Sequence, residues 1–325
     1  MIKVFEEINN RAVAHEGSEA LERINERTWI HASAPSKEEI RTVASVTGFD
    51  ESVLLSLLDE EESAHLDVDD EHTLIVLDVP VRENDVYVTY PFSIIYHDRY
   101  FLTICKKETN LLNRVFSKFK RIEPHKKARL SLQIIYAIAS SYIDALKVLD
   151  GRRSALEREL RSSMKNDVLL DLMDLNKSLV YFSTSLGANK SVINRVKRLA
   201  EFRRYEQDFD LIEDMEVENN QAIEMCSIYR EILTGMMDTF SSIISNNLNN
   251  VMKVLAIITL IISIPTLIAS LFGMNVILPF AGNEYGFYFV IGISILCSAL
   301  AGGALVLATV KKEGKRNKRT RRKKK

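Results

Sequence analysis

Thr259, Ser263, Thr266 and Ser270 stand four, three and four residues apart inside a run of 30 uncharged residues, Val254 to Asn283. The same rhythm extends backwards through Ala256, Met252, Asn249, Ser245, Ser242 and Asp238. A helix turns once in about 3.6 residues, so this spacing puts a carboxylate, an amide and a file of hydroxyls on one face. Oxygens in line within an apolar segment are groups that can hold water or a hydrated cation. Two readings stay open. Ser and Thr also mark tight helix packing in membranes, where small residues allow close approach and hydroxyls bond the carbonyl one turn back. For Ser263 and Ser270 alone, packing is the stronger reading. The continuous file, joining Asp238 and Asn249 to hydroxyls deep in the apolar run, is better explained by a water-filled axis.

Positioning such a file takes a helix that crosses a membrane. The 57 residues between Lys253 and Lys311 hold one charge, Glu284, which divides them into uncharged runs of 30 and 26. A span needs about 20 apolar residues. Residues 251–272 and 287–309 supply two, joined by an external loop over 273–286. Two spans per chain cannot enclose an axis. Several copies must therefore gather, first spans inside and the almost purely apolar second spans toward lipid, which makes a homo-oligomer part of the hypothesis. Residues 311–325 carry eleven Lys or Arg and one Glu, so the tail over 310–325 is expected in the cytosol, and with two spans the N-terminus as well. A basic run directly after a span reads as an anchor on anionic membrane lipids rather than a nucleic-acid patch. It also hides a contrast: the chain's net charge is -1, yet residues 1–310 hold 32 bases against 43 acids, a net of -11. The opening MIKVFEEINN has no apolar signal-peptide core, so the first 250 residues are expected to stay in the cytosol.

Upstream of the spans the pattern predicts an α+β cytosolic domain followed by long stalk helices and two C-terminal transmembrane helices. Within residues 1–125, β-branched and aromatic runs at 73–81, 86–96 and 100–105 read as strands of one sheet, with a turn at 97–99 and an earlier strand around Trp29. Ser36 and Glu39 have capping-box spacing, which predicts a helix start. Residues 126–250 show apolar positions three and four apart, punctuated by Gly151 and Gly187, with no proline between Pro124 and Pro265. Long helices follow, the last a stalk over about 210–272, some 60 residues or roughly 90 Å. Cys105, Cys226 and Cys297 are isolated, the six histidines lack ligand spacing, and no GxxxxGK, GxSxG or HExxH motif occurs, so no enzyme is indicated.

The file ends at Phe272-Gly273-Met274-Asn275, and its base reads Asn249-Asn250-Val251-Met252-Lys253-Val254-Leu255. In both, and in its whole plan, the chain resembles the CorA family of divalent metal transporters, whose signature is Gly-Met-Asn at the end of the first of two C-terminal spans. The resemblance implies a homopentameric Mg2+ channel in the cell membrane, both termini cytoplasmic. Asn275 rings, with Gly273 and Met274, form the outer ion-selectivity site, and Asp238, Asn249, Met252, Leu255, Thr266 and, by position, Ser263 line the pore beside Thr259 and Ser270. Mg2+ gives up water reluctantly, so neutral amide oxygens can hold the hydrated ion and release it. Asn275 also reads as a helix C-cap. Met252 and Leu255 would close the pore by excluding water, against ordinary helix or lipid contact. The family further implies regulatory Mg2+ between subunits, which places a stalk carboxylate at Asp214 beside Glu213. Asp208, Asp210, Glu216 and Glu218 make the neighbourhood acidic, and a solvated charged face explains any one of them equally well. Asp78, Glu83 and Asp85 are candidate partners from the α+β domain.

Two departures stand out. The family's acidic Met-Pro-Glu-Leu loop is replaced by Val276 to Asn283, leaving Glu284 as the loop's one acid, and Ser263 sits where the family often has a bulky apolar residue. Mg2+ is the expected cargo, with Co2+, Ni2+ and Zn2+ as further candidates. The alternatives are a Zn2+ or other transition-metal transporter of the same fold, resembling the ZntB group, and a non-conducting membrane-anchored sensor or scaffold.

Overall fold

Seven segments, most of them rich in β-branched and aromatic residues, are strands: β1 Ile2–Ile8, β2 Arg11–Glu16, β3 Thr28–Ser33, β4 His65–Val68, β5 Thr73–Glu83, β6 Val86–Tyr96 and β7 Phe101–Cys105. The computed structural model describes residues 1–8, 11–16, 21, 24–25, 27–97, 99–162, 166–274 and 285–322. The chain divides into two units, Met1–Met236 and Met237–Lys325.

In the first unit the strands form one sheet in the order β2-β1-β3-β7-β6-β5-β4. Every pair is antiparallel except β3 with β7, in the middle. The helices are α1 Lys37–Thr47, α2 Glu51–Ser56, α3 Leu111–Lys118, α4 Lys127–Ser162, α5 Asn166–Val196, α6 Glu206–Phe272 and α7 Gly286–Arg322. The expected capping box at α1 is formed: Ser36 Oγ accepts from the Glu39 amide at 3.2 Å, and the Glu39 carboxylate accepts from the Ser36 amide at 2.8 Å. One core joins α1 and α2 to Ile30, Ala32, Val76, Ile95 and Ile104 of the sheet. His31 is buried beside Trp29 and Thr103, whose Oγ1 lies 2.8 Å from His31 Nδ1 and accepts from Trp29 Nε1 at 2.8 Å. Burial first, then Lys3, drives its pKa down to about 3, so it is a neutral core residue.

β5 and β6 run past their neighbours, since β4 pairs only with Thr73–Val76 and β7 only with Phe92–Tyr96. Pro80 and Pro91 lie in this overhanging ribbon, where their missing N–H groups cost no bond to a third strand. Side chains of α5 cover the ribbon. Asn189 Oδ1 accepts from Asp78 N at 2.8 Å, its Nδ2 donates to Asp78 O at 2.9 Å, and Ser178 Oγ accepts from Tyr87 N at 3.0 Å. The Asp78 amide and carbonyl and the Tyr87 amide on the open strand edges thereby find partners.

Gly151 and Gly187 do not punctuate the helices as expected; each lies inside one, α4 and α5. A helical glycine costs about 1 kcal/mol, which burial of the long apolar faces of α4 and α5 outweighs. The break before α6 falls instead at residues 197–205, which include a 3-10 turn over Ala200–Arg203, and α6 starts at Glu206, ahead of the expected 210. Among the described residues three helices are long and apolar enough to cross a membrane, not two. The extra one is α4, but 78% of its apolar window is buried inside the first unit, against 0% for α6 and 11% for α7. An apolar helix already covered by its own domain is a core helix. α7 continues to Arg322, so the basic segment begins as more of the same helix.

Candidate functional site

The apolar half of α6 carries the file of oxygens on an open face. The Thr259 hydroxyl donates to Leu255 O at 2.8 Å, Ser263 to Thr259 O at 2.7 Å and Thr266 to Ile262 O at 2.9 Å. Nearer the start of the second unit, Ser242 donates to Asp238 O at 2.9 Å. Each of these hydroxyls spends its hydrogen one turn back and keeps its remaining lone pairs. Asp238, Asn249, Thr259, Ser263, Thr266 and Ser270 are all exposed, and Met252 and Leu255 are 56% and 55% exposed.

The second helix meets α6 on the other side. Ile257, Ile264, Pro265 and Ile268 are half-buried, and they fall half a turn from the Thr259–Ser263–Thr266–Ser270 file. Ile261 shares their side, and there a Cβ added to Gly302 of α7 would lie 3.1 Å from Ile261 Cδ1. Ser298 of α7 donates to Ile261 O at 3.3 Å. The covered face of α7 is built of small residues, Ser294, Cys297, Ser298, Ala301 and Gly302, while Phe287, Phe289, Ile295, Leu296 and Leu300 are exposed. Close packing by small residues therefore exists in this hairpin, but on α7. The α6 hydroxyls take no part in it.

α6 ends at Phe272, where the Gly273 amide donates to Ala269 O at 3.0 Å. A side chain at 273 would sit 3.3 Å from the Ala269 carbonyl, so glycine gives the closing turn room. Met274 is exposed. Asn275 and Glu284 lie outside the described residues.

The acids at the start of α6 have separate fates. Asp208 is buried against Arg129 at 2.8 Å, Glu216 pairs with Lys197 at 2.6 Å, and Glu218 accepts from the Tyr136 hydroxyl at 2.9 Å. Asp210, Glu213 and Asp214 are exposed. The candidate partners from the sheet are engaged otherwise. Burial raises the Asp78 carboxyl pKa. Lys107, 2.7 Å away, and the Tyr90 hydroxyl hold Glu83 below the ordinary carboxylate range. Asp85 pairs with Arg82 at 3.1 Å. Among the described residues no three His, Cys, Asp or Glu side chains are grouped to hold a metal. The structure also gathers His72, His97 and His125 around one cleft of about 860 Å3 in the first unit, which their scattered positions in the chain did not suggest. Within it Arg129 pairs with Asp208, and His72 Nδ1 lies 3.2 Å from an Asp69 carboxylate oxygen.

Sequence reasoning missed Pro265, Ser298 and Gly302 as residues of this site. The signals were present: a proline four residues beyond Ile261, and Ser294, Ser298 and Gly302 four apart.

A family model described as CorA-like Mg2+ transporter protein matches residues 25–311. A relative named cobalt/magnesium transport protein CorA, from Methanocaldococcus jannaschii, is 29% identical over 298 residues, covering 88% of this chain and 94% of its own. A protein of the same name from Thermotoga maritima is 22% identical over 255 residues, covering 76% and 73%. The solved complete structure of the Methanocaldococcus jannaschii CorA magnesium transporter superposes with a TM-score of 0.78 at 27% identity, over 93% of this chain and 96% of that one.

Proposed function

The chain belongs to the family of CorA-like Mg2+ transporter proteins, and on that premise we propose that it is a Mg2+ uptake channel, driven by the membrane potential and closed by cytosolic Mg2+. Five copies surround an axis in the cell membrane, with residues 251–272 lining it, residues 287–309 facing lipid, and both termini in the cytoplasm. The observation that carries this reading is the hydroxyl file of α6, turned away from the α7 contact at Ile261. A hydrated Mg2+ presents the hydrogens of its water shell, and hydroxyls that have already donated to their own helix meet it with acceptor lone pairs. Gly273, Met274 and Asn275 form the outer site, where five amide oxygens hold the ion through its water shell and let it go. Glu284 draws cations to the outer mouth. Met252 and Leu255 close the path by excluding water.

Moving one charge through 100 mV is worth about 2.3 kcal/mol, so a divalent ion gains about 4.6 kcal/mol, more than a thousandfold in concentration ratio. Uptake on this scale needs no nucleotide. Closure comes from Mg2+ bridging Asp214 and Glu213 to a neighbouring subunit; when cytosolic Mg2+ falls, the bare carboxylates repel and the stalks separate.

Mg2+ flux into proteoliposomes with an inside-negative potential tests this. The parent protein passes Mg2+, with Co2+ competing, and Asn275→Ala abolishes flux. Absence of flux from the parent would leave a sensor or scaffold, and preference for Zn2+ would move the cargo to a transition metal.

A further inference from the structure

Pro265 stands inside α6. It has no N–H, so the carbonyl one turn back, that of Ile261, loses the donor that holds it in an ordinary helix. A bare carbonyl in an apolar segment is unfavourable and loosens the helix at that turn. Ile261 O nevertheless has a donor, the Ser298 hydroxyl of α7, at 3.3 Å. Its neighbour one turn earlier behaves differently: Ser294 turns back on its own helix and donates to Val290 O at 2.7 Å. Gly302, one turn later, brings α7 close enough for this reach, since a Cβ there would stand 3.1 Å from the Ile261 side chain.

The geometry points to Ser298 as a positioning residue of the ion pathway, a latch that holds the carbonyl freed by Pro265 and so fixes the angle between the two halves of α6. Met252, Leu255 and Thr259 lie on the cytosolic side of that turn, and Thr266, Ser270 and Gly273 on the outer side. With the latch made, the oxygens on both sides stay in one file and the apolar constriction keeps its place. With it broken, α6 is free to bend at Ile261–Pro265, and the balance between closed and open states shifts. Ser298 touches no ion; it acts through the backbone of α6. The proposal rests on the channel reading for its consequence, although not for the bond itself.

The test is a double-mutant cycle on the full chain in proteoliposomes, reading Mg2+ influx and its inhibition by Mg2+ on the cytosolic side. Ser298→Ala shifts the half-inhibiting concentration about threefold, the scale of a hydrogen bond between membrane helices. Ser298→Thr, which keeps the hydroxyl, restores the parent value. Pro265→Ala returns an N–H to Ile261 O, so adding Ser298→Ala to it changes nothing further. An additive double variant, or a Ser298→Ala protein that behaves as the parent, overturns the latch. The thermal unfolding midpoints of the same four proteins give a second cycle that needs no transport. Should the parent pass no ion, the channel reading falls, and that cycle decides the latch: non-additive midpoints keep it, additive midpoints overturn it.

Discussion

Helices α5 and α6 carry polar residues at one rhythm and use them in opposite directions. On α5, Ser178, Ser185 and Asn189 stand seven and four apart, and their side chains leave the helix to bond Tyr87, Thr89 and Asp78 of the sheet at 2.8 to 3.0 Å. On α6, Thr259, Ser263 and Thr266 stand four and three apart, also on one helix face, and donate only to carbonyls of their own helix. Spacing alone cannot separate these cases. A partner on another element can: Ser178 also turns its hydrogen back, to Asp174 O at 3.1 Å, but its lone pair is claimed by the Tyr87 amide, whereas the lone pairs of Thr259, Ser263 and Thr266 stay on an open face. Ser298 reaches out in the same way inside the second unit, at the carbonyl of α6 that Pro265 deprives of its usual donor.

The largest effect belongs to the completed contact. Asn189 is buried and serves both the amide and the carbonyl of Asp78, while the Tyr142 hydroxyl donates to the same carbonyl at 3.1 Å. Asn189→Leu leaves the Asp78 amide without its partner and costs about 2–3 kcal/mol, seen as a lowered denaturation midpoint with unchanged flux per folded protein. A cost below about 0.5 kcal/mol breaks the contrast at this end. The open face predicts the reverse. Thr259→Val combined with Ser263→Ala removes two acceptors and lowers Mg2+ flux about tenfold, about 1.4 kcal/mol in the barrier, while stability stays within about 0.5 kcal/mol. Stability lost with flux retained would mean that the file packs against protein after all.

Much of this fold is legible in the chain because its signals are local. The Ser36–Glu39 cap needs four consecutive residues, and the strands at 73–81 and 86–96 need only their own β-branched runs. β1 and β2 escape the reading because Lys3, Glu6, Glu7, Arg11 and Glu16 interrupt their apolar pattern. Gly151 and Gly187 mislead because propensity is weaker than the burial of α4 and α5. At the site, the file of oxygens follows from helical period, whereas the side on which α7 lies does not. The bond from Ser298 to Ile261 spans 37 positions, and nothing in either neighbourhood encodes the other. The acidic cluster fails as a unit for the same reason: Arg129, Lys197 and Tyr136, which claim three of its members, come from other elements.

That division of the acids supplies the smallest of the expected effects. Asp208 and Asp214 sit on one helix six residues apart, one buried against Arg129 and the other exposed. If completed and open positions differ in role here as they do along α5 and α6, Asp208→Ala lowers the denaturation midpoint and leaves the Mg2+ inhibition curve of the folded protein in place. Asp214→Ala does the opposite. It removes one carboxylate from the surface where regulatory Mg2+ would bridge subunits, so the half-inhibiting cytosolic Mg2+ rises several-fold while stability changes by less than about 0.5 kcal/mol. An inhibition curve unmoved by Asp214→Ala takes that residue out of the closing mechanism. Repeating the comparison at Glu213 then shows whether the next exposed acid carries the role or whether this face of the stalk is merely solvated.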